Sequence, residues 1–213
     1  MSPAARARGP AAKLERHAAL LAAGARLFAE RDYAEVGIAG IAREAGLAKG
    51  TVYLYFPTKE ALFLELLLDQ LGGWLDALSQ GFAPRPGGDR RAAFARRVAR
   101  SFEGRPTLLR LLAILHTVLE QNVDGPTALR FKLGLAERMA GPARVLEERL
   151  ELRRGDGIRL LLRAHALTVG LAQMSRPAPC VLDAIRADPR LAAFEIDFAR
   201  ELEAALGAML RGW

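Results

Sequence analysis

Apolar residues along this chain recur at three- and four-residue steps, the period that stacks side chains on one face of a helix. From Leu14 to Glu30, Leu20, Leu21, Gly24, Leu27 and Phe28 form such a stripe, and the polar "RDY" after Glu30 ends it. Ile38, Ile41, Ala42 and Ala45 predict a second helix, which Gly46 breaks, and Val52 with Phe56 predicts a third before Pro57. Thr58 is placed to cap a long fourth helix running through Leu62, Leu66, Leu67, Leu71, Trp74 and Leu78.

"APRPGGDR", residues 83–90, is the clearest loop. Beyond it, periodicity and breakers predict helices over roughly 91–104, 106–121, 127–150, 157–175 and 189–211. Pro106 suits a first helical turn, Asp156 suits an N-cap and "SRPAPC" is a break. Period-two alternation of Val, Ile and Thr is missing, and Ala, Leu, Arg and Glu dominate, so the fold class is all-α with no strand. A hydrophobic fraction of 51% supplies the core.

Between Ile38 and Phe56 the two short helices are too close to pack in parallel. Ala42 is small where the backbones must approach, and Gly46, four positions on, can turn left-handed cheaply, so the chain reverses within about three residues. With Val52 and Phe56 directed inward, Lys49, Thr51, Tyr53 and Tyr55 project outward. A cation, a hydroxyl and phenols on one helix face suit phosphates and base edges in a major groove. A merely solvated helix face stays open at this point.

The formal charge of +7 and isoelectric point near 10.3 add less than they first suggest. Residues 1–60 hold nine basic and six acidic side chains, so much of the excess lies beyond them. Residues 1–12, rich in Ala, Pro and Arg, read as a flexible arm made locally basic by Arg6 and Arg8, with Lys13 and Arg16 just beyond; a solvated tail and an arm touching DNA phosphates are both open.

"LFAERDYAEVGIAGIAREAGLAKGTVYLYFPTKEALF" resembles the DNA-binding region of TetR/AcrR-type transcriptional regulators, without gaps from about Leu14 to Leu67. The resemblance implies a helix-turn-helix DNA-binding domain over 13–60, followed by a helical effector-binding and dimerisation domain over 61–213. It makes residues 48–55 the recognition helix, with Lys49, Gly50, Thr51, Tyr53 and Tyr55 toward DNA and with Arg43 and Lys59 on phosphates. Gly37 and Ala48 stand where the family usually carries Ser or Thr. As N-caps, Gly37 costs a few tenths and Ala48 about 1 kcal/mol. Gly40 replaces a commonly acidic position, Leu54 an often polar one, and Asp32 a common glycine whose left-handed conformation Asp tolerates.

Some 130 further residues of helix imply separate work. Between Ile158 and Met174, Leu160, Leu161, Leu162, Leu167, Val169 and Leu171 cover more than one stripe, which requires burial on two sides. One side suits the domain core and the other a partner. Leu191, Phe194, Phe198, Leu202, Leu206 and Met209 give the last helix a similar character. The resemblance implies a homodimer joined through these two helices. Trp74, Phe102 and Phe131 are candidate walls of an effector pocket, with His116, Asn122, His165 and Thr168 as polar contacts, although an ordinary structural role is the commoner one for each taken alone.

The expected function is a DNA-binding transcriptional regulator, a repressor by the family's usual mode, released from a palindromic operator by a small apolar or amphipathic molecule. A helical dimer that binds a ligand or a protein without DNA is the alternative. No enzyme is expected: His17, His116 and His165 lack metal-ligand spacing, Ser79, Ser101 and Ser175 lack a nucleophile context, and Glu147 with Glu148 reads as helix surface. No cofactor or metal is implied. No apolar run reaches the roughly 18 residues of a membrane span, so a cytoplasmic protein is expected. Cys180 reads as a small apolar filler.

Overall fold

Helices form where the three- and four-residue apolar steps run, and the places where they stop are set by caps and turns. The computed structural model describes residues 9–82 and 87–213. Ten α-helices form among them: α1 Pro10–Glu30, α2 Ile38–Glu44, α3 Lys49–Tyr53, α4 Lys59–Gln80, α5 Arg90–Ser101, α6 Pro106–Ile114, α7 Gly125–Leu150, α8 Asp156–Met174, α9 Pro179–Ala187 and α10 Phe198–Arg211. No strand occurs among the described residues. None of their helices is long and apolar enough to cross a membrane.

The chain divides into two compact units. The described residues up to Asp69, with Ile114–Phe131, form one; Gln70–Ala113 and Lys132–Trp213 form the other. In the first, Leu20, Phe28, Ile41, Val52, Phe56, Leu62 and Phe63 are fully or almost fully buried. Gly24 admits the side chain of Leu62, whose Cδ2 would stand 2.9 Å from a Cβ at position 24. Phe28 and Phe63 meet edge to face with centroids 5.3 Å apart, the offset geometry that aromatic quadrupoles favour.

In the second unit α10 packs on α5 and α8, burying Leu202, Leu206 and Leu210 with Phe94, Ala95, Val98 and Leu160. Arginines of α5 close helix ends around them. Arg91 donates through Nη1 to the Leu210 carbonyl at 3.0 Å, and Arg97 donates to the carbonyls of Leu78 (3.1 Å) and Ala77 (2.7 Å). Each satisfies carbonyls that a helix C-terminus leaves open and sets a cation against its partial negative charge. A Cβ at Gly81 would run into the Arg97 guanidinium, so the bare backbone there makes room for the second cap.

Several expectations need correction. The final helix does not run unbroken from 189 to 211: α9 precedes it, a 3-10 segment spans Pro189–Phe194, and α10 starts at Phe198 with Asp197 as N-cap. The helix expected over 106–121 leaves α geometry after Ile114, passing into a π-helical turn at Leu115–Leu119 and a 3-10 turn at Glu120–Asn122. Asp156 is not the N-cap of α8. Gly155, at φ 92°, holds that position, and Glu147 from α7 accepts the N–H groups of Gly155 (2.8 Å) and Gly157 (2.9 Å) through Oε1. Glu147 is therefore a cap between helices rather than plain surface, while Glu148 is exposed. Cys180 is exposed on α9 and fills no core. Asp32 is not left-handed; Glu151, at φ 55°, is the described non-glycine residue that is.

Thr58 caps α4 as expected, its Oγ1 accepting the Ala61 N–H at 3.1 Å. Helix α1 begins at Pro10, earlier than Leu14. Residues 1–8 of the expected arm and residues 83–86 of the expected loop lie outside the described residues.

Candidate nucleic-acid interface

The interface is built on the turn between α2 and α3. Gly46 adopts φ 67°, the Leu47 N–H donates to the Ala42 carbonyl at 2.9 Å, and the Gly46 N–H donates to the Arg43 carbonyl at 3.1 Å. This pair of bonds is a Schellman motif, which closes the carbonyl end of α2 and redirects the chain within three residues. Ile41 and Ala42 on α2 then face Val52 of α3 and Phe56, all between 0% and 2% exposed.

Helix α3 has five residues, too few to be stable alone, so burial of Val52 must hold it. Gly37 and Ala48 are the N-caps of α2 and α3, and neither makes a side-chain capping bond. The α2–α3 pair is also tied to its surroundings. Arg26 Nε on α1 donates to Glu44 at 2.8 Å. His17 Nε2 lies 2.8 Å from Glu65 Oε1, with its ring 5.0 Å from that of Phe56 and 6.1 Å from that of Tyr55.

With Val52 inside, the opposite side of α3 is open. Lys49, Gly50 and Tyr53 are exposed, as is Arg43 on α2, and Thr51 is half-buried. Leu54, immediately after α3, is 80% exposed. Among the described residues, chain neighbours and the helix's own backbone aside, nothing stands within 4 Å of a Cβ built at Gly50, so packing among them does not demand a glycine there. A glycine in so short a helix is costly, and its use on the open face fits close approach by another molecule's surface.

Two residues expected toward DNA are held from within. Tyr55 is half-buried beside His17. Lys59 donates through Nζ to the Tyr33 carbonyl at 2.9 Å and lies 3.8 Å from the centroid of the Tyr33 ring. Its burial lowers the pKa of the ammonium, while the neighbouring Glu60 charge opposes that shift. Tyr33 donates in turn to Glu60 Oε1 at 2.8 Å; burial, then that bond and the carboxylate charge, raise its phenol well above the usual range. Tyr33 and Glu60 thus hold Lys59, and His17, paired with Glu65, lies against Tyr55 and Phe56; nothing in residue spacing pointed to these contacts.

The candidate effector residues divide between the two units. Trp74 and Phe102 stack with centroids 5.1 Å apart, and Trp74 Nε1 donates to Ser101 Oγ at 2.8 Å. Trp74 also lines a cleft of about 480 Å³ beside α4 and α5. His165 and Thr168 lie on α8, half-buried and fully buried respectively. His116, Asn122 and Phe131 belong to the other unit. There His116 Nδ1 stands 3.0 Å from Glu120 Oε2, Asn122 donates to the Val118 carbonyl at 2.8 Å, and Phe131 is buried.

Comparison with known proteins agrees with this arrangement. Residues 20–66 match the family described as bacterial regulatory proteins, tetR family, and residues 68–213 match the tetracyclin repressor-like C-terminal domain. The HTH-type transcriptional regulator EthR of Mycolicibacterium smegmatis is 42% identical over 53 residues, 25% of this chain and 24% of that protein. RutR of Escherichia coli K12, also an HTH-type transcriptional regulator, is 28% identical over 204 residues, 91% of this chain and 79% of its own length. The first curated relatives are matched over only 24% to 35% of their length. A TetR transcriptional regulator from Rhodococcus sp. RHA1 has the same fold, with TM-score 0.54 and 23% identity over 90% of this chain and 92% of that one. Its two halves matched in order, this chain belongs to the TetR family of DNA-binding transcriptional regulators.

Proposed function

We propose that this regulator is a homodimeric repressor that reads a roughly palindromic operator and leaves it when a small apolar or amphipathic molecule binds. The open side of α3 carries the reading. Val52 and Phe56 occupy the inner side, which leaves Arg43 and Lys49 for phosphates, Thr51 and Tyr53 for base edges or phosphates, and Gly50 for close contact with the duplex. Tyr55 and Lys59 belong at the margin of the contact, where Lys59 keeps two ammonium hydrogens beyond the one given to Tyr33.

Dimerisation rests on the face of α8 that its own chain leaves uncovered. Leu160, Leu161, Ala164, Thr168 and Ala172 are buried, whereas on the other side Leu162 is 51% exposed and Val169, seven positions on, is half-buried. Apolar surface of this kind at helical spacing suits a matching helix from a second copy, and α10 adds the exposed Ala204 and Ala208. A two-fold pair would present two α3 helices about 34–36 Å apart, one turn of DNA. The site of action would be the cytoplasm.

Selection of bound duplexes from a random pool by the purified full chain tests this reading. Enrichment of an inverted repeat with half-sites about 10 base pairs apart is expected. Failure to enrich any sequence at low salt would refute operator reading, and enrichment of a single non-repeated site would refute the symmetric dimer.

A further inference from the structure

The positive charge that residues 1–60 do not explain is concentrated in one place. Residues 90–110 hold seven arginines against a single acidic residue, Glu103. Most of these arginines have structural partners. Arg90 pairs with Glu151 at 2.7 Å, Arg96 lies 3.3 Å from Glu203, and Arg91 and Arg97 cap α10 and α4. Arg100 and Arg105 differ. Among the described residues their guanidinium groups have no hydrogen-bond or ion-pair partner, and both side chains are exposed.

Arg100 and Arg105 line the same cleft of about 480 Å³, together with Arg96, Arg97, Trp74 and Ser101. Its floor is fixed. Ser101 Oγ accepts from Trp74 Nε1 at 2.8 Å and donates to the Val98 carbonyl at 2.6 Å, which pins the indole against Phe102. The two unpaired guanidinium groups, at a concavity with an aromatic wall and beside those of Arg96 and Arg97, favour an anion there, since low-dielectric walls concentrate the field. The volume falls within the range of roughly 300–1,000 Å³ common for small-molecule sites.

We infer that this cleft binds a small organic anion, with a carboxylate or phosphate head held by Arg100 and Arg105 and an apolar or aromatic body laid toward Trp74. The inference deepens the ligand-release reading and rests on it for its regulatory consequence. Arginine suits the role because its planar fork meets either oxyanion with two parallel hydrogen bonds. The arginines that already cap helices or pair with carboxylates hold the shape of the site, and the two unpaired ones supply the recognition. A nucleic-acid strand is a poorer occupant, because the two free guanidinium groups line a recess rather than stand on a ridge.

The test is calorimetric titration of the full chain with benzoate, octanoate, indole-3-acetate and phenyl phosphate, each beside its uncharged amide or alcohol. At least one anion should bind at least tenfold more tightly than its neutral partner. Arg100→Gln or Arg105→Gln should remove that preference at least tenfold, with unchanged melting temperature and unchanged operator affinity in the absence of ligand. A preference for phenyl phosphate over benzoate would assign the head to phosphate, and the reverse to carboxylate. Equal binding of anions and neutral partners, absence of binding by every anion, or full binding by both variants would overturn the inference. Loss of operator affinity in the variants without ligand would also overturn it, by assigning the arginines to DNA. Tight anion binding that leaves operator affinity unchanged would keep the site and refute ligand release instead.

Discussion

Replacement of Gly50 by alanine should make the protein more stable and a weaker reader of DNA. The position is the second residue of α3, and among the described residues a Cβ there meets no atom within 4 Å beyond its chain neighbours and the helix's own backbone, so the methyl group introduces no clash with them. Alanine in a helix is favoured over glycine by about 0.5–1 kcal/mol, chiefly because the unfolded chain loses freedom. The whole of that gain should appear, since no clash offsets it. The same methyl stands on the open face beside Lys49 and Tyr53, where it would hold the backbone away from a duplex read by that face. If that face lies in van der Waals contact with DNA, the displaced contacts should lower affinity by about tenfold or more, roughly 1.4 kcal/mol. Urea unfolding followed by circular dichroism reads the first effect, and fluorescence anisotropy with the selected operator at fixed salt reads the second. A Gly50→Ala protein that is less stable would refute the steric reasoning, and one that binds as tightly as the parent would remove Gly50 from the contact surface.

Three further outcomes are expected. Lys49→Ala should reduce the slope of log affinity against log salt by about one unit while leaving stability within about 0.5 kcal/mol, because Lys49 is exposed and would neutralise one phosphate; an unchanged slope would remove Lys49 from the phosphate contacts. Leu162→Glu should weaken self-association at least about 100-fold in sedimentation equilibrium, since two-fold symmetry buries the new charge twice; an unaltered mass distribution would rule out the α8 face. Tyr33→Phe should cost about 1 kcal/mol at neutral pH through the lost bond to Glu60. The Tyr33 pKa is raised in the folded chain, so its contribution is complete below the ordinary tyrosine value of about 10 and is lost as pH climbs past it. The parent should therefore lose stability in alkali more steeply than the variant; parallel pH profiles would refute the assignment.

The helix-turn-helix was legible in the sequence because each of its requirements is local. Gly46 turns left-handed where a reversal was needed, and Ile41, Ala42, Val52 and Phe56 form the small core that their spacing predicted. The same short-range logic misread the end of the chain. Helix α9 has a short apolar stripe in Val181, Leu182 and Ile185 but buries none of its residues, and Asp197, which caps α10, was absorbed into one long helix over 189–211. Caps that cross between helices were invisible for another reason. Glu147 reaches the start of α8 only because the chain folds back through Glu151 and Gly155, both left-handed, and spacing along one helix does not encode that return. Lys59 likewise looked like a free cation until Tyr33 was found against it. The arginines of residues 90–110 stand in plain view as a basic run, but which of them have partners depends on residues from 19 to 119 positions away.

The bare backbone at Gly81 has an evolutionary consequence. Because the guanidinium of Arg97 occupies the volume that a side chain at 81 would take, what position 81 can accept depends on what stands at 97. A lineage that acquires even an alanine at 81 must shorten or redirect the residue at 97, and then needs another donor for the carbonyls of Ala77 and Leu78. Descendants of this chain that keep Arg97 in this place should therefore keep Gly81 as well.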